Sequence, residues 1–141
     1  MIETKAALPD GYKPGLEGVI AGTSSISEVD AEKDALSYRG YTAHELAAKA
    51  SYEEVSFLLL NGKLPTQAEF TDYKSQLRSE RVLSASVLRA IAQLPLKAHP
   101  MRLLAAAISL ISMEDPEADV STPEANLRKA IRLVAKAPVV V

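Results

Sequence analysis

Three times between residues 42 and 69 a hydroxyl residue is followed, three places on, by glutamate: Thr42 with Glu45, Ser51 with Glu54, and Thr66 with Glu69. In this capping box the hydroxyl accepts the amide of the third helical residue. The carboxylate reaches back to the amide of the capping residue, so two otherwise orphaned donors are satisfied. A chain that repeats the signal so closely is committed to short helices, predicted at about 43–49, 52–60 and 67–80. Asn61-Gly62 supplies a left-handed end for the second, and Pro65 separates it from the third. Val55, Leu58 and Leu59, then Phe70, Tyr73 and Leu77, recur at helical spacing. A fourth helix is expected over about 84–93, stopping before Pro95.

Two further helices have a different character. Pro100 suits the first helical position, where its missing amide costs nothing. From Leu103 to Ile111 the residues leave almost no polar face, and Asp115-Pro116 ends the segment. A helix apolar all round must be buried all round. Thr122-Pro123-Glu124 starts the last helix, which carries Leu127, Ile131, Val134 and Ala135. Two arrangements accommodate this pair. One is a six-helix domain with an apolar central helix. The other has these helices packing against another chain or another part of the protein, with alanine-rich faces allowing close approach.

The segment before Thr42 is rich in Gly, Ser, Thr and Asp. Residues 1–14, containing Pro9 and Pro14, read as an extended N-terminal arm, and 15–41 as a small β region. Strands are expected at Val19-Ile20-Ala21, Ser25 to Val29 and Leu36 to Arg39, with Asp30 to Asp34 as a polar turn. The fold class is therefore mainly α, a small hairpin or sheet followed by about six helices over 42–141. At 141 residues and 48% apolar composition, one hydrophobic core is affordable, and with 5% aromatics and no Trp it must be aliphatic. A net charge of −2 offers no basic face for nucleic acid. The absence of cysteine removes disulfides and thiolate chemistry. Met1 to Lys5 does not open a secretory signal, and the apolar run from Leu103 to Ile108 is too short to cross a bilayer, so a cytoplasmic protein with no membrane contact is expected.

No complete catalytic constellation emerges from the residues. Gly15, Gly18 and Gly22 miss the spacings of both the phosphate loop and the dinucleotide fingerprint, and no helix follows them. Asp30 to Asp34 lacks the glycine and glutamate that a calcium loop places at its sixth and twelfth positions. His44 falls in the first turn of a short helix and His99 looks like a helix-start residue; neither has a metal-like spacing to an acid or to the other. Ser24-Ser25 has no nucleophile-elbow context. Arg39, flanked by Tyr38 and Gly40-Tyr41, is a candidate for an anion contact or a structural ion pair. No catalytic, cofactor-binding or metal-binding residue is assigned.

Taken in order, the segments resemble a known family. GLEGV at 15–19, SISEVD at 25–30 and LSYRGY at 36–41 are similar to the N-terminal signature of citrate synthases. LLLNGKLPT at 58–66 resembles the family's LLLxGxLPT segment, AHPM at 98–101 its HPM helix start, and IRLVAKAP at 131–138 the helix that follows. The resemblance runs from Gly15 to Val141 and identifies 15–141 as the N-terminal part of a citrate-synthase-like large domain. It implies that the complete enzyme condenses acetyl-CoA, or another acyl-CoA, with oxaloacetate through an enol. The acyl-CoA is then a substrate of the complete enzyme and not a cofactor of this chain. The family's catalytic histidines, aspartate and substrate-binding arginines lie later in the chain, and the HPM histidine is not among them, so the chain alone is expected to be inactive. The resemblance also implies a homodimer, or association with a citrate synthase C-terminal part, through the last two helices: Met101, Leu104, Ala105, Ile108, Leu127, Ile131, Val134 and Ala135. The alternative is a stand-alone, non-catalytic interaction protein or split-enzyme subunit that binds a synthase partner. Where many members carry DGxxG at the polar turn, this chain has Ala31 and Asp34, so a reshaped turn is expected there.

Overall fold

Thr42, Ser51 and Thr66 each close a reciprocal capping box with the glutamate three residues on, and they open helices α1 (Ala43–Lys49), α2 (Tyr52–Asn61) and α3 (Gln67–Glu80). The structure is a computed structural model that describes residues 18–20, 22–30, 35–95 and 97–141. The expected arm at 1–14, Ala21 of the first expected strand, and the turn residues 31–34 lie outside the described residues. Gly62 ends α2 at φ 81°, a left-handed conformation that its missing side chain makes inexpensive, and its amide returns to the Leu58 carbonyl at 2.8 Å. Three more helices follow: α4 (Ala85–Ala92), capped by Ser84; α5 (Pro100–Ser112), capped by His99; and α6 (Pro123–Val140), capped by Thr122. Helix α5 ends at Ser112, three residues before Asp115. Asp115 instead shapes the following turn by accepting the Glu117 amide on Oδ1 at 2.8 Å.

The β region differs more from expectation. Its strands are β1 (Ser27–Asp30), β2 (Ala35–Tyr38) and β3 (Tyr41–Thr42), antiparallel in the order β1-β2-β3. Ser27 faces Tyr38 and Asp30 faces Ala35. Val19 and Ile20 are not a strand: they are exposed, Ile20 at 86%, and no described strand lies beside them. Strand β2 stops at Tyr38 because Arg39 (φ 50°) and Gly40 (φ 86°) form a two-residue turn that pairs Tyr38 with Tyr41. That turn creates β3, which sequence periodicity missed.

The core forms where α6 crosses α3. Tyr73, Leu77, Ile131 and Ala135 are buried together, with Phe57, Leu60, Leu127 and Val134 packed around them. Phe57 meets the Tyr73 ring edge-on, centroids 5.3 Å apart. The Tyr73 hydroxyl lies 3.0 Å from Ser56 Oγ, which also donates to the Glu53 carbonyl at 2.9 Å. This pair satisfies the polar atoms of an otherwise apolar contact. Leu77→Ala should lower unfolding free energy by about 2–5 kcal/mol through the cavity it opens. Tyr73→Phe keeps the ring and leaves Ser56 its carbonyl partner, so it should cost only about 1 kcal/mol. Urea unfolding of the two variants beside the parent measures both.

Candidate functional site

Three places in the described structure gather polar or apolar groups beyond ordinary packing. The first is Arg39. Its backbone amide donates to the Ile26 carbonyl at 2.8 Å. One guanidinium nitrogen reaches Ser25 Oγ at 2.8 Å and its carbonyl at 3.3 Å, and the other reaches the Leu59 carbonyl at 3.0 Å. Its carbon stands 4.0 Å from where a β-carbon on Gly62 would lie, so the guanidinium sits against the C-terminal end of α2. Cations are favoured there because the last carbonyls of a helix are unpaired. Among the described residues the partners of Arg39 are carbonyls and a hydroxyl, with no carboxylate. Arg39 thus bolts the β region to α2.

The second place is the junction of α5 and α6. Arg132 makes a two-pronged contact with Asp115, both bonds 2.9 Å, and a further bond to Glu117 at 2.8 Å. Arg128, one turn earlier on α6, grips the same Glu117. Lys136 continues the row and donates to the Glu80 carbonyl at 2.6 Å and its carboxylate at 3.2 Å, tying α6 to the end of α3. Arg128 first, then Arg132, holds the Glu117 carboxyl down at about 2. Burial raises Asp115, but the Glu117 amide and Arg132 outweigh it and leave it below the usual range. Beside this network lies a cleft of about 600 Å³ where the α3–α4 connection, the end of α5 and the turn after it meet α6; Val82, Leu83, Val87, Ile111 and Leu133 line it together with Glu114, Asp115 and the α6 cations. Sequence reading missed both the network and the cleft. The signal for the first was present: Arg128 and Arg132 one turn apart, following Asp115 and Glu117 at alternate positions of a turn.

The third place is the open side of α5. Met101 is 62% exposed, and Ala105 and Ser109 lie exposed above it. The Ser109 hydroxyl turns back to the Ala105 carbonyl at 2.9 Å, which masks its polarity. Burial of α5 on all sides, as its composition requires, is therefore not achieved within the described residues. Leu104 and Ile108 are half-buried. Leu127, Ile131, Val134 and Ala135 face the chain's own core, and Ile131 and Ala135 keep only 6% and 2% of their surface. Of the eight residues expected at a subunit interface, the exposed ones are therefore Met101 and Ala105 on α5.

His44 is exposed on α1, and His99 caps α5 by accepting the Met101 amide on Nδ1 at 3.2 Å. Among the described residues no three His, Asp or Glu side chains converge as metal ligands, and no helix is long and apolar enough to cross a membrane.

Two expectations follow. Arg39→Lys removes the planar fork that reaches Ser25 and Leu59 together, and should cost about 1–3 kcal/mol in urea unfolding. The Glu117 carboxyl is depressed in the folded state from an ordinary value of 4.5 to about 2, so its contribution is present above pH 4.5 and lost as pH falls toward 2. Acid unfolding of Glu117→Gln should therefore show a shallower loss of stability across that window than the parent. An unchanged slope would mean that the pairing with Arg128 and Arg132 does not differ between folded and unfolded chains.

Residues 15–141 match the family described as citrate synthase, C-terminal domain. The chain is 42% identical over 133 residues to a 2-methylcitrate synthase of Mycobacterium tuberculosis, covering 94% of this chain and 33% of that protein. It is 40% identical over 138 residues to a citrate synthase of Mycolicibacterium smegmatis, covering 98% and 36%. Its fold superimposes on the crystal structure of citrate synthase from Pyrobaculum aerophilum with a TM-score of 0.82 at 38% identity, over 89% of this chain and 34% of that one. The chain spans about a third of the length of the curated relatives it matches. Matched over nearly all its residues in both sequence and fold, this chain belongs to the citrate synthase family.

Proposed function

We propose that this chain is a scaffold portion of a citrate or 2-methylcitrate synthase. The complete enzyme condenses acetyl-CoA or another acyl-CoA with oxaloacetate by general acid–base chemistry. The observation that carries this reading is the match of 15–141 to a third of proteins bearing those names, with the same fold. In this reading the chain contributes structure. Arg39 gives its two terminal nitrogens to Ser25 and to the Leu59 carbonyl, while its buried Nε has no partner among the described residues, and His99 gives its Nδ1 to a helix cap. Proton transfer from the acyl-CoA α-carbon and to the oxaloacetate carbonyl oxygen falls to groups in the other two thirds of such an enzyme.

The subunit contact in this reading is the open side of α5, with Met101 and Ala105 at its centre and Leu104 and Ile108 at its flanks. The partner is a second copy in a homodimer, and the compartment is the cytoplasm. The choice between citrate and 2-methylcitrate chemistry stays open, because relatives of both names match at similar identity.

The test is complementation. The chain is assayed for release of free CoA from acetyl-CoA or propionyl-CoA with oxaloacetate, alone and co-expressed with the remainder of the Mycobacterium tuberculosis relative. No turnover alone and measurable turnover in the pair is the expected result. Turnover by the chain alone would overturn the scaffold reading, and a stable but inactive pair would favour a non-catalytic binding protein.

A further inference from the structure

Helix α4 is attached to the rest of the chain differently from the other helices. Among the described residues no backbone hydrogen bond joins residues 82–98 to anything outside that segment. Val87, Ile91 and Leu94 recur at helical spacing and turn one side of the segment inward, Val87 at 4% exposure and the other two half-buried. That side packs on α5. The opposite side, with Ala85, Leu88, Arg89 and Ala92, is exposed. Among the described residues one side-chain hydrogen bond leaves α4 for another element: the Ser86 hydroxyl donates to the Glu114 carboxylate, just past the end of α5. Ser84, which caps α4, lies 2.9 Å from Ser86 Oγ and helps to hold that hydroxyl in place. The other helices have firmer ties. Helix α1 follows strand β3, which pairs with β2. The Leu59 carbonyl on α2 takes Arg39, and Glu80 on α3 takes Lys136 of α6. Helix α5 runs into the turn that Arg132 grips at Asp115.

We propose that α4 is a strap, latched to the end of α5 by Ser86 and Glu114, that opens as a unit about its two connections while α2, α3 and α6 stay folded. The physical ground is how little an opening breaks. At 8 residues α4 is too short to be a stable helix alone, so it depends on its contact with α5. Releasing it uncovers little beyond Val87, Ile91 and Leu94 and costs no backbone bond to another element. Releasing α3 or α6 instead dismantles the core of Tyr73, Leu77, Ile131 and Ala135 together with the bond from Lys136 to Glu80. A segment with few buried apolar contacts opens at a free energy well below that of global unfolding. Its two connections, Val82 to Ser84 and Gln93 to Ala98, are free of backbone bonds that would anchor them elsewhere. Val87 lines the same cleft as Ile111, which is only 9% exposed. The open strap therefore bares an apolar patch at the end of α5 that the closed one conceals.

Native-state hydrogen exchange of the full chain in low urea, read amide by amide by NMR, is the test. The amides of Leu88 to Ala92 should exchange at least about tenfold faster than those of Tyr73 to Leu77 and Ile131 to Ala135, and their rates should depend less on urea. Ser86→Ala should speed the α4 amides by a further factor of about five, because a hydrogen bond to a charged group is lost. The sign is diagnostic: alanine is the better helix former, so propensity alone would slow them. Glu114→Ala lies outside α4 and should act in the same direction, and the double variant should do no more than the stronger single one. The α3 and α6 amides should stay unchanged in all three variants. Exchange of α4 in step with the core, or α4 rates that are unchanged or slower in the latch variants, overturns the proposal. So does opening of α5 together with α4, since the mobile unit is then the helix pair and the latch lies within it.

Discussion

The crossing of α6 over α3, through Ile131 and Ala135 on one helix and Tyr73 and Leu77 on the other, sets where the remaining elements lie. Within that cluster the Tyr73 ring brings its hydroxyl to Ser56 on α2. One contact thereby aligns three helices, with α2 held through Phe57 and Leu60. Because successive helical positions advance about 100°, Arg132 and Lys136 stand beside Ile131 and Ala135 on the neighbouring face. That offset explains why the apolar core and the ionic row can share one helix without a charge entering the core.

The ionic row converts a packed helix into a fixed one. Glu80, Asp115 and Glu117 lie at the end of α3 and in the turn before α6, and each is held by a cation on α6. Side chains of Arg132 and Asp115 that are only 18% and 15% exposed are screened less than surface pairs, so their geometry carries more weight than a count of ion pairs would suggest. At the other end of the molecule Arg39 links strands and helix, bonding Ser25 within the β region and the Leu59 carbonyl on α2. The helical part is thus held by a core and the β part by a clamp. Among the described residues an apolar side of α5 and the cleft beside α6 stay open.

Helix starts were legible because capping is a matter of neighbours. The hydroxyl of Thr42, Ser51 or Thr66 and the glutamate three residues later complete their bonds without help from the rest of the chain. The left-handed end at Gly62 and the proline at the start of α5 are local in the same sense. The strand expected at Val19 and Ile20 failed because a strand needs a partner, and apolar residues in series do not supply one. Strand β3 escaped notice because its existence depends on two consecutive positive φ angles, one of them at an arginine.

By itself the sequence determined the helices, their caps, their order, and a family resemblance that the matched fold upholds. Only the tertiary structure decided what each polar or apolar group meets. Arg39 bonds a carbonyl 20 residues away, and Lys136 a carbonyl 56 residues away. Leu127 and Val134 turned inward, while Met101 stayed in solvent. The physical reason is range. A cap is completed within one turn of helix, whereas burial and long hydrogen bonds exist only after distant segments have been brought together, and no local pattern states which segments those will be.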